Sequence, residues 1–181
     1  MQDLLDFARM ERGDLKLVLE PVDVSVVARR VIDRLEPVWS SHVIDRQLGP
    51  DAIVIADVAA LERIVTNLVS NAVKFSPAGS AVRVAVDREG DDVRLLVDDR
   101  GPGVPADERD RIFVRFFRGG GEAVVRTSGV GIGLAVVKDF VTQMGGSIEV
   151  TDNPEGGARF TVRLPQESVV EQEEAEGAAT S

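Results

Sequence analysis

"AVRVAVDREGDDVRLLVDD", residues 81–99, decides the fold class. Two runs that alternate apolar and polar residues flank a turn containing Gly90, the pattern of an antiparallel hairpin. Upstream, Asp57 stands as an N-cap before Leu61, Ile64, Val65, Leu68, Ala72 and Phe75, which share one helical face. That spacing predicts a helix over 58–75, closed by Pro77 and Gly79. Still further upstream, "HVIDRQLG" and "AIVIA" are short strand candidates, and Asp23 caps a predicted helix over "VSVVARRVIDRLEPVW", residues 24–39. "LKLVLEPVD", residues 15–23, reads as a strand. Downstream, residues 100–128 are mostly loop with a short helix near Pro105 to Phe113. A helix over 131–144 ends at Gly145-Gly146, and strands "SIEVTD" and "ARFTVRLP" close the domain around Gly156-Gly157. Mixed strands and helices with a terminal hairpin predict an α+β two-layer sandwich rather than a run of βαβ units. The sheet should be mixed, mostly antiparallel, and packed on about three helices.

Composition narrows the class. The 181 residues are 44% apolar, enough for a buried core. A formal net charge of −10, with no concentrated basic stretch, speaks against a general nucleic-acid binder. Part of that charge lies in "EQEEAEGAATS", so residues 166–181 are expected to be a disordered acidic tail. With no cysteine and one histidine, disulfides and thiolate metal sites are excluded, and a structural zinc is not expected. The chain shows neither a signal peptide nor an apolar run of membrane-spanning length, so a cytoplasmic location is expected.

Three stretches carry chemistry. On helix 58–75, Arg63, Asn67, Asn71 and Lys74 form a polar stripe beside the apolar face. Asparagines are poor helix formers, but an asparagine carbonyl is a hard ligand for magnesium and a lysine meets phosphate as a point charge. For this helix alone, a solvated face is the simpler reading. "LLVDDRGPGVP", residues 95–105, puts Asp98-Asp99 at a strand end before Gly101 and Gly103. It reads equally as a plain turn or as an acceptor for a base amino group with glycines that admit a flat ligand. "RIFVRFFRGGG", residues 111–121, offers Phe113 and Phe116 as buried anchors, and Arg118 beside a glycine hinge where an arginine can stabilise a transferred phosphoryl. "TSGVGIGLAVVKDF", residues 127–140, spaces Gly129, Gly131 and Gly133 two apart before a helix. It lacks the Gly-Lys-Ser/Thr ending of a Walker loop and the Gly-x-Gly-x-x-Gly of a dinucleotide fingerprint. The lone His42, at a strand start, receives no catalytic role.

In order and spacing, "NLVSNAVKFSP", "VDDRGPGVP", "IFVRFFRG" and "GVGIGLAVV" resemble the N, G1, F and G2 boxes of the catalytic ATP-binding domain of sensor histidine kinases. The wider family includes gyrase, heat-shock chaperones and mismatch-repair ATPases. The resemblance assigns residues 14–165 to the ATP-binding domain, with the Bergerat-type fold and a mobile ATP lid. Residues 1–13 resemble the end of a dimerisation and phosphoacceptor helix. It implies that Asp99 contacts the adenine amino group, that Gly101 and Gly103 line the base pocket, and that Asn71 holds Mg²⁺. Lys74 would contact phosphate, Phe75 would stack where relatives often have tyrosine, and Arg118 would act on the transferred group. Gly129, Gly131, Gly133 and Leu134 would complete the nucleotide-contacting set, with the helix N-terminus behind them facing the phosphates. Asn67 stands where gyrase-like relatives carry a glutamate base, which implies phosphoryl transfer to a side chain rather than hydrolysis.

The resemblance also implies partners: ATP, an upstream phosphoacceptor domain and, through the whole kinase, a response regulator. His42 lies in the wrong element to be the phosphoacceptor, so the chain is expected to be a monomeric fragment that binds Mg·ATP without phosphorylating itself. The alternative is a nucleotide-gated binding module with little or no catalysis.

Overall fold

The computed structural model describes residues 16–120 and 131–166. In chain order it contains β1 (Glu20–Asp23), α1 (Val24–Leu35), β2 (Val43–Leu48), β3 (Ile53–Ala56), α2 (Val58–Phe75), β4 (Ala81–Glu89) and β5 (Asp92–Asp98). A 3-10 turn (Arg111–Phe113), α3 (Gly133–Gln143), β6 (Ser147–Asp152) and β7 (Ala158–Pro165) follow. The main sheet has the order β2-β4-β5-β7-β6, with β2 and β4 parallel and every other pair antiparallel. Strands β1 and β3 form a separate antiparallel pair, and Val54 bridges from it to Gln166 just beyond β7.

Register sorts the two faces of the sheet. Val84, Val97, Phe160 and Val150 are cross-strand partners, as are Val86, Leu95, Val162 and Ile148. These rows join one core with Ile32, Leu61, Leu68 and Val137 of the three helices. The opposite rows are charged: Arg83, Asp98 and Arg159 are neighbours, and so are Asp87, Arg94 and Arg163. Arg159 grips both oxygens of Asp98 at 2.7 Å, and Arg94 those of Asp87 at 2.8 and 2.9 Å. One face is therefore buried and the other laced with ion pairs, which makes the α+β two-layer sandwich expected from the sequence.

Local sequence accounts for the element ends. Asp57 accepts from the N–H of Ala60 at 2.9 Å and Asp23 from that of Ser25 at 2.8 Å, so both predicted caps form. Helix α1 stops at Leu35 rather than running to Trp39, because Pro37 cannot continue the ladder. Tight turns then carry Trp39, 6% exposed, into the core. Strand β1 is limited to Glu20–Asp23 because its partner strand ends at Ala56, where α2 is about to begin. The Val18 N–H turns instead to Asp57 Oδ2 at 2.8 Å. Helix α3 starts at Gly133 rather than 131, since Gly131 is left-handed with φ 74°. The expected short helix near 105–113 is a chain of turns ending in the 3-10 turn. Residues 1–13, nearly all of the acidic tail, and the part of the expected lid in 121–130 lie outside the described residues.

Candidate functional site

Asp99 is the first residue beyond β5 and is 5% exposed. Its Oδ1 accepts from the N–H groups of Gly101 at 2.8 Å and Ala158 at 2.9 Å. Its own N–H donates to Ala158 O, and its carbonyl accepts from Asn153 Nδ2, both at 2.9 Å. The N–H bonds favour the carboxylate, but burial outweighs them and pushes Asp99 above the usual aspartate range. Both side-chain bonds go to Oδ1, which leaves Oδ2 to meet a donor that enters the site.

The loop after Asp99 lies hard against the end of α2. A side chain at Gly101 would come within 2.8 Å of the Phe75 carbonyl, so only glycine fits. The Arg100 N–H donates to Ser76 Oγ at 2.9 Å, and His42 Nε2 lies 3.2 Å from the Ser76 carbonyl. The end of helix α2, with Lys74 in its last turn, thus lies beside this loop. Lys74 Nζ lies 5.5 Å from the Phe75 ring centroid. Burial, and then the charge of Arg118, lower the Lys74 ammonium below its ordinary value. An added Cβ at Gly133 would lie 2.7 Å from Asn67 Oδ1, so the start of α3 abuts the same helix. Ile132, at the N-cap of α3, has no side-chain acceptor, and among the described residues no side chain caps the helix in its place. A buried carboxylate on the loop against the C-terminal end of α2, Lys74 in its last turn and the start of α3 against Asn67 thus lie along one helix, a set suited to a polyanion carrying an amino-bearing base.

A family model described as "Histidine kinase-, DNA gyrase B-, and HSP90-like ATPase" matches residues 56–168. The chain belongs to this family. Among curated relatives, the Sensor protein KdpD of Rathayibacter rathayi is 41% identical over 90% of the chain, and that of Escherichia coli 37% over 96%. Sensor-like histidine kinase SenX3 of Mycobacterium tuberculosis is 33% identical over 90%. The chain spans 19% of the length of those KdpD relatives and 40% of SenX3. Among solved structures, Mycobacterial sensor histidine kinase MprB superposes with TM-score 0.73 at 35% identity, covering 82% of this chain and 97% of that one. ShkA, solved in complex with AMPPNP, gives 0.75 at 35% identity over 90% of this chain and 34% of that one. This histidine kinase-like ATPase domain is therefore the ATP-binding catalytic domain of a sensor histidine kinase in kind.

Within this histidine kinase-like domain, the structure sets Asp99 and Gly101 against Phe75, next to Lys74, and separately sets Gly133 against Asn67. Asn71 lies one turn beyond Asn67 on the same helix. Gly103, with φ 77°, faces Gly157, and Leu134 packs partly buried against the core. Gly129 lies outside the described residues. Of the two expected aromatic anchors, Phe113 is buried, but Phe116 is 59% exposed with φ 61°. Its N–H bonds the Gly131 carbonyl at 2.8 Å, and this contact sets its unusual backbone rather than a place in the core. A depression of about 450 Å³ between Pro102–Ala106 and Asp152–Gly157 touches none of Asp99, Asn71 and Lys74. Sequence reasoning passed over Ser76 and Asn153, whose side chains clasp the Asp99 loop from either side. Their only signal was position, one after the helical stripe and the other before a glycine pair.

Proposed function

We propose that this chain binds Mg·ATP along α2, between the Asp99 loop and the start of α3, and presents the γ-phosphoryl group to a histidine on an upstream helical hairpin. The observation that carries the reading is the buried Asp99 carboxylate, with Oδ1 saturated by backbone, on a loop packed against the end of α2, whose last turn carries Lys74. Asp99 Oδ2 accepts from the adenine amino group, while Gly101 and Gly103 let the base approach and Phe75 stacks beside it. Lys74 holds phosphate oxygens, and Arg118 stabilises charge on the transferred group. Gly131, Gly133 and Leu134 contact the phosphates, and the motif resemblance adds Gly129, outside the described residues, to that set. Among the described residues no cluster of three His, Cys, Asp or Glu side chains fits a resident metal. The donor set suits a magnesium ion that arrives with the nucleotide, keeps phosphate and water ligands, and takes the Asn71 carbonyl oxygen. Bound in this way, Mg²⁺ neutralises developing phosphate charge. Asn67, which donates its amide to the Arg63 carbonyl at 3.1 Å, carries no carboxylate to activate water, so transfer is favoured over hydrolysis.

The only histidine, His42, lies just before β2 and in no helix, with its ring nitrogens near Ser41 Oγ and the Ser76 carbonyl at the end of α2. The acceptor therefore comes from an upstream phosphoacceptor domain, and a response regulator receives the group from there. The chain is read as a cytoplasmic, monomeric ATP-binding part, residues 14–165, with residues 1–13 as the end of that domain's helix. No helix among the described residues is long and apolar enough to cross a membrane.

Labelling with γ-labelled ATP tests this reading, on the 181-residue chain and on one extended upstream through a helical hairpin. Acid-labile, alkali-stable label on the extended chain alone is the expected result. ATP binding with no label on either chain would overturn phosphoryl transfer in favour of a nucleotide-gated binding module.

A further inference from the structure

The turn between β6 and β7 makes more bonds to Asp99 than a connection needs. Its backbone closes unaided: the Asn153 N–H donates to Gly157 O at 3.0 Å, and the Gly156 N–H donates to Asn153 O at 2.8 Å. Asn153 is nevertheless 6% exposed and spends its side chain across a separation of 54 residues. Nδ2 donates to the Asp99 carbonyl at 2.9 Å and to Gly156 O at 3.1 Å, while Oδ1 accepts from the Glu155 N–H at 3.1 Å. The approach has been cleared for it, since a Cβ on Gly157 would fall 2.2 Å from the same Asp99 carbonyl and 2.6 Å from Oδ1. Asp99 N–H, carbonyl and Oδ1 are thus each tied to residues 153–158, with Gly101 as a second donor to Oδ1. Oδ2 keeps the one direction that this clamp allows it.

We propose that Asn153 is a positioning residue for base selection: it sets the height and tilt of Asp99 so that Oδ2 points at the amino group of adenine. This rests on the reading of Asp99 given under Proposed function. A single carboxylate–amine bond discriminates only when its geometry is held, because a displaced acceptor tolerates a wrong base as well as the right one. Without the Asn153 amide, the buried Asp99 carbonyl lacks its partner and the strand end shifts to find another.

Inosine triphosphate is the probe, since its base carries an oxo group where adenine has the amino group and an N1–H where adenine has an acceptor nitrogen, with the same sugar and phosphates. Affinities of the 181-residue chain for Mg·ATP and Mg·ITP are measured by calorimetry, with thermal unfolding followed in parallel. Wild type is expected to prefer ATP by at least about tenfold. In Asn153→Ala, ATP affinity falls about tenfold while ITP affinity stays within about twofold, so the preference collapses. Asn153→Asp, nearly isosteric and retaining the acceptor for Glu155, keeps the measurement decisive where the alanine variant fails to fold, and the same collapse is expected. Equal losses for both nucleotides, or a preserved preference, would show Asn153 to be merely structural and overturn the proposal while Asp99 keeps its role. A wild type indifferent to the base, with Asp99→Asn equally indifferent, overturns the reading of Asp99 and the proposal with it.

Discussion

At Asp99 two opposing effects meet, and their balance has a measurable sign. Two N–H donors pull its titration down, and burial pushes it up further than they pull. The folded chain therefore holds this proton more tightly than the unfolded one. That contribution favours the fold below the ordinary aspartate value and is lost as pH rises through the raised one. Nucleotide binding runs the other way, because Oδ2 must be ionised to accept. On acidification, ATP affinity is expected to fall at a pH above the usual aspartate range, in a calorimetric series that Asp99→Asn flattens. That variant keeps an oxygen for Gly101 and Ala158, so its thermal midpoint should move little while most affinity disappears. Lys74→Gln gives the companion expectation: the loss should be large for ATP and small for adenosine, because its partner is the phosphate chain. Asp99 and Lys74 were singled out in the sequence by the motif resemblance, since residue type and spacing alone left a plain turn and a solvated face as open readings. Asn153 was not, since its partner lies 54 residues away and an asparagine before a Gly-Gly pair looks like ordinary turn chemistry.

Among the elements, α2 was the most legible, with bounds that match the expectation from Asp57 to Phe75. A side-chain cap, an unbroken apolar face and a following proline all say the same thing there. Legibility failed where the limit came from outside the segment. Strand β1 ends early because β3 does, and the left-handed Gly131 delays α3. The fully buried Leu68 anchors α2, and Leu68→Ala should cost about 2–5 kcal/mol in denaturant unfolding. Gly133→Ala tests the join between helices instead. Its methyl would press on Asn67 Oδ1, so Mg·ATP affinity should drop without a matching loss of thermal stability. Unchanged affinity in that variant would separate the start of α3 from the site.

For the molecule as a whole, the central hairpin was enough to give a two-layer sandwich, and the strand order β2-β4-β5-β7-β6 extends it at both edges. That order was not legible, because period-2 patterning says which face is buried and not which strand is the neighbour. Ligand binding links site to stability: Mg·ATP at a hundredfold excess over its Kd should add about 2.7 kcal/mol to unfolding, and chelating Mg²⁺ with EDTA should shrink that gain in a thermal-shift series.

The clamp on Asp99 carries one more consequence, for the order of events during synthesis. The hairpin that ends in Asp98 and the stripe on α2 leave the ribosome well before Ala158, whose N–H and carbonyl hold Asp99 from 59 residues further along the chain. Until β7 slots between β5 and β6, the carboxylate has no backbone to fix it and a nascent chain has no base pocket. ATP capture is then a signal of completed folding: truncations that stop before residue 158 should ignore the nucleotide however well their helices form.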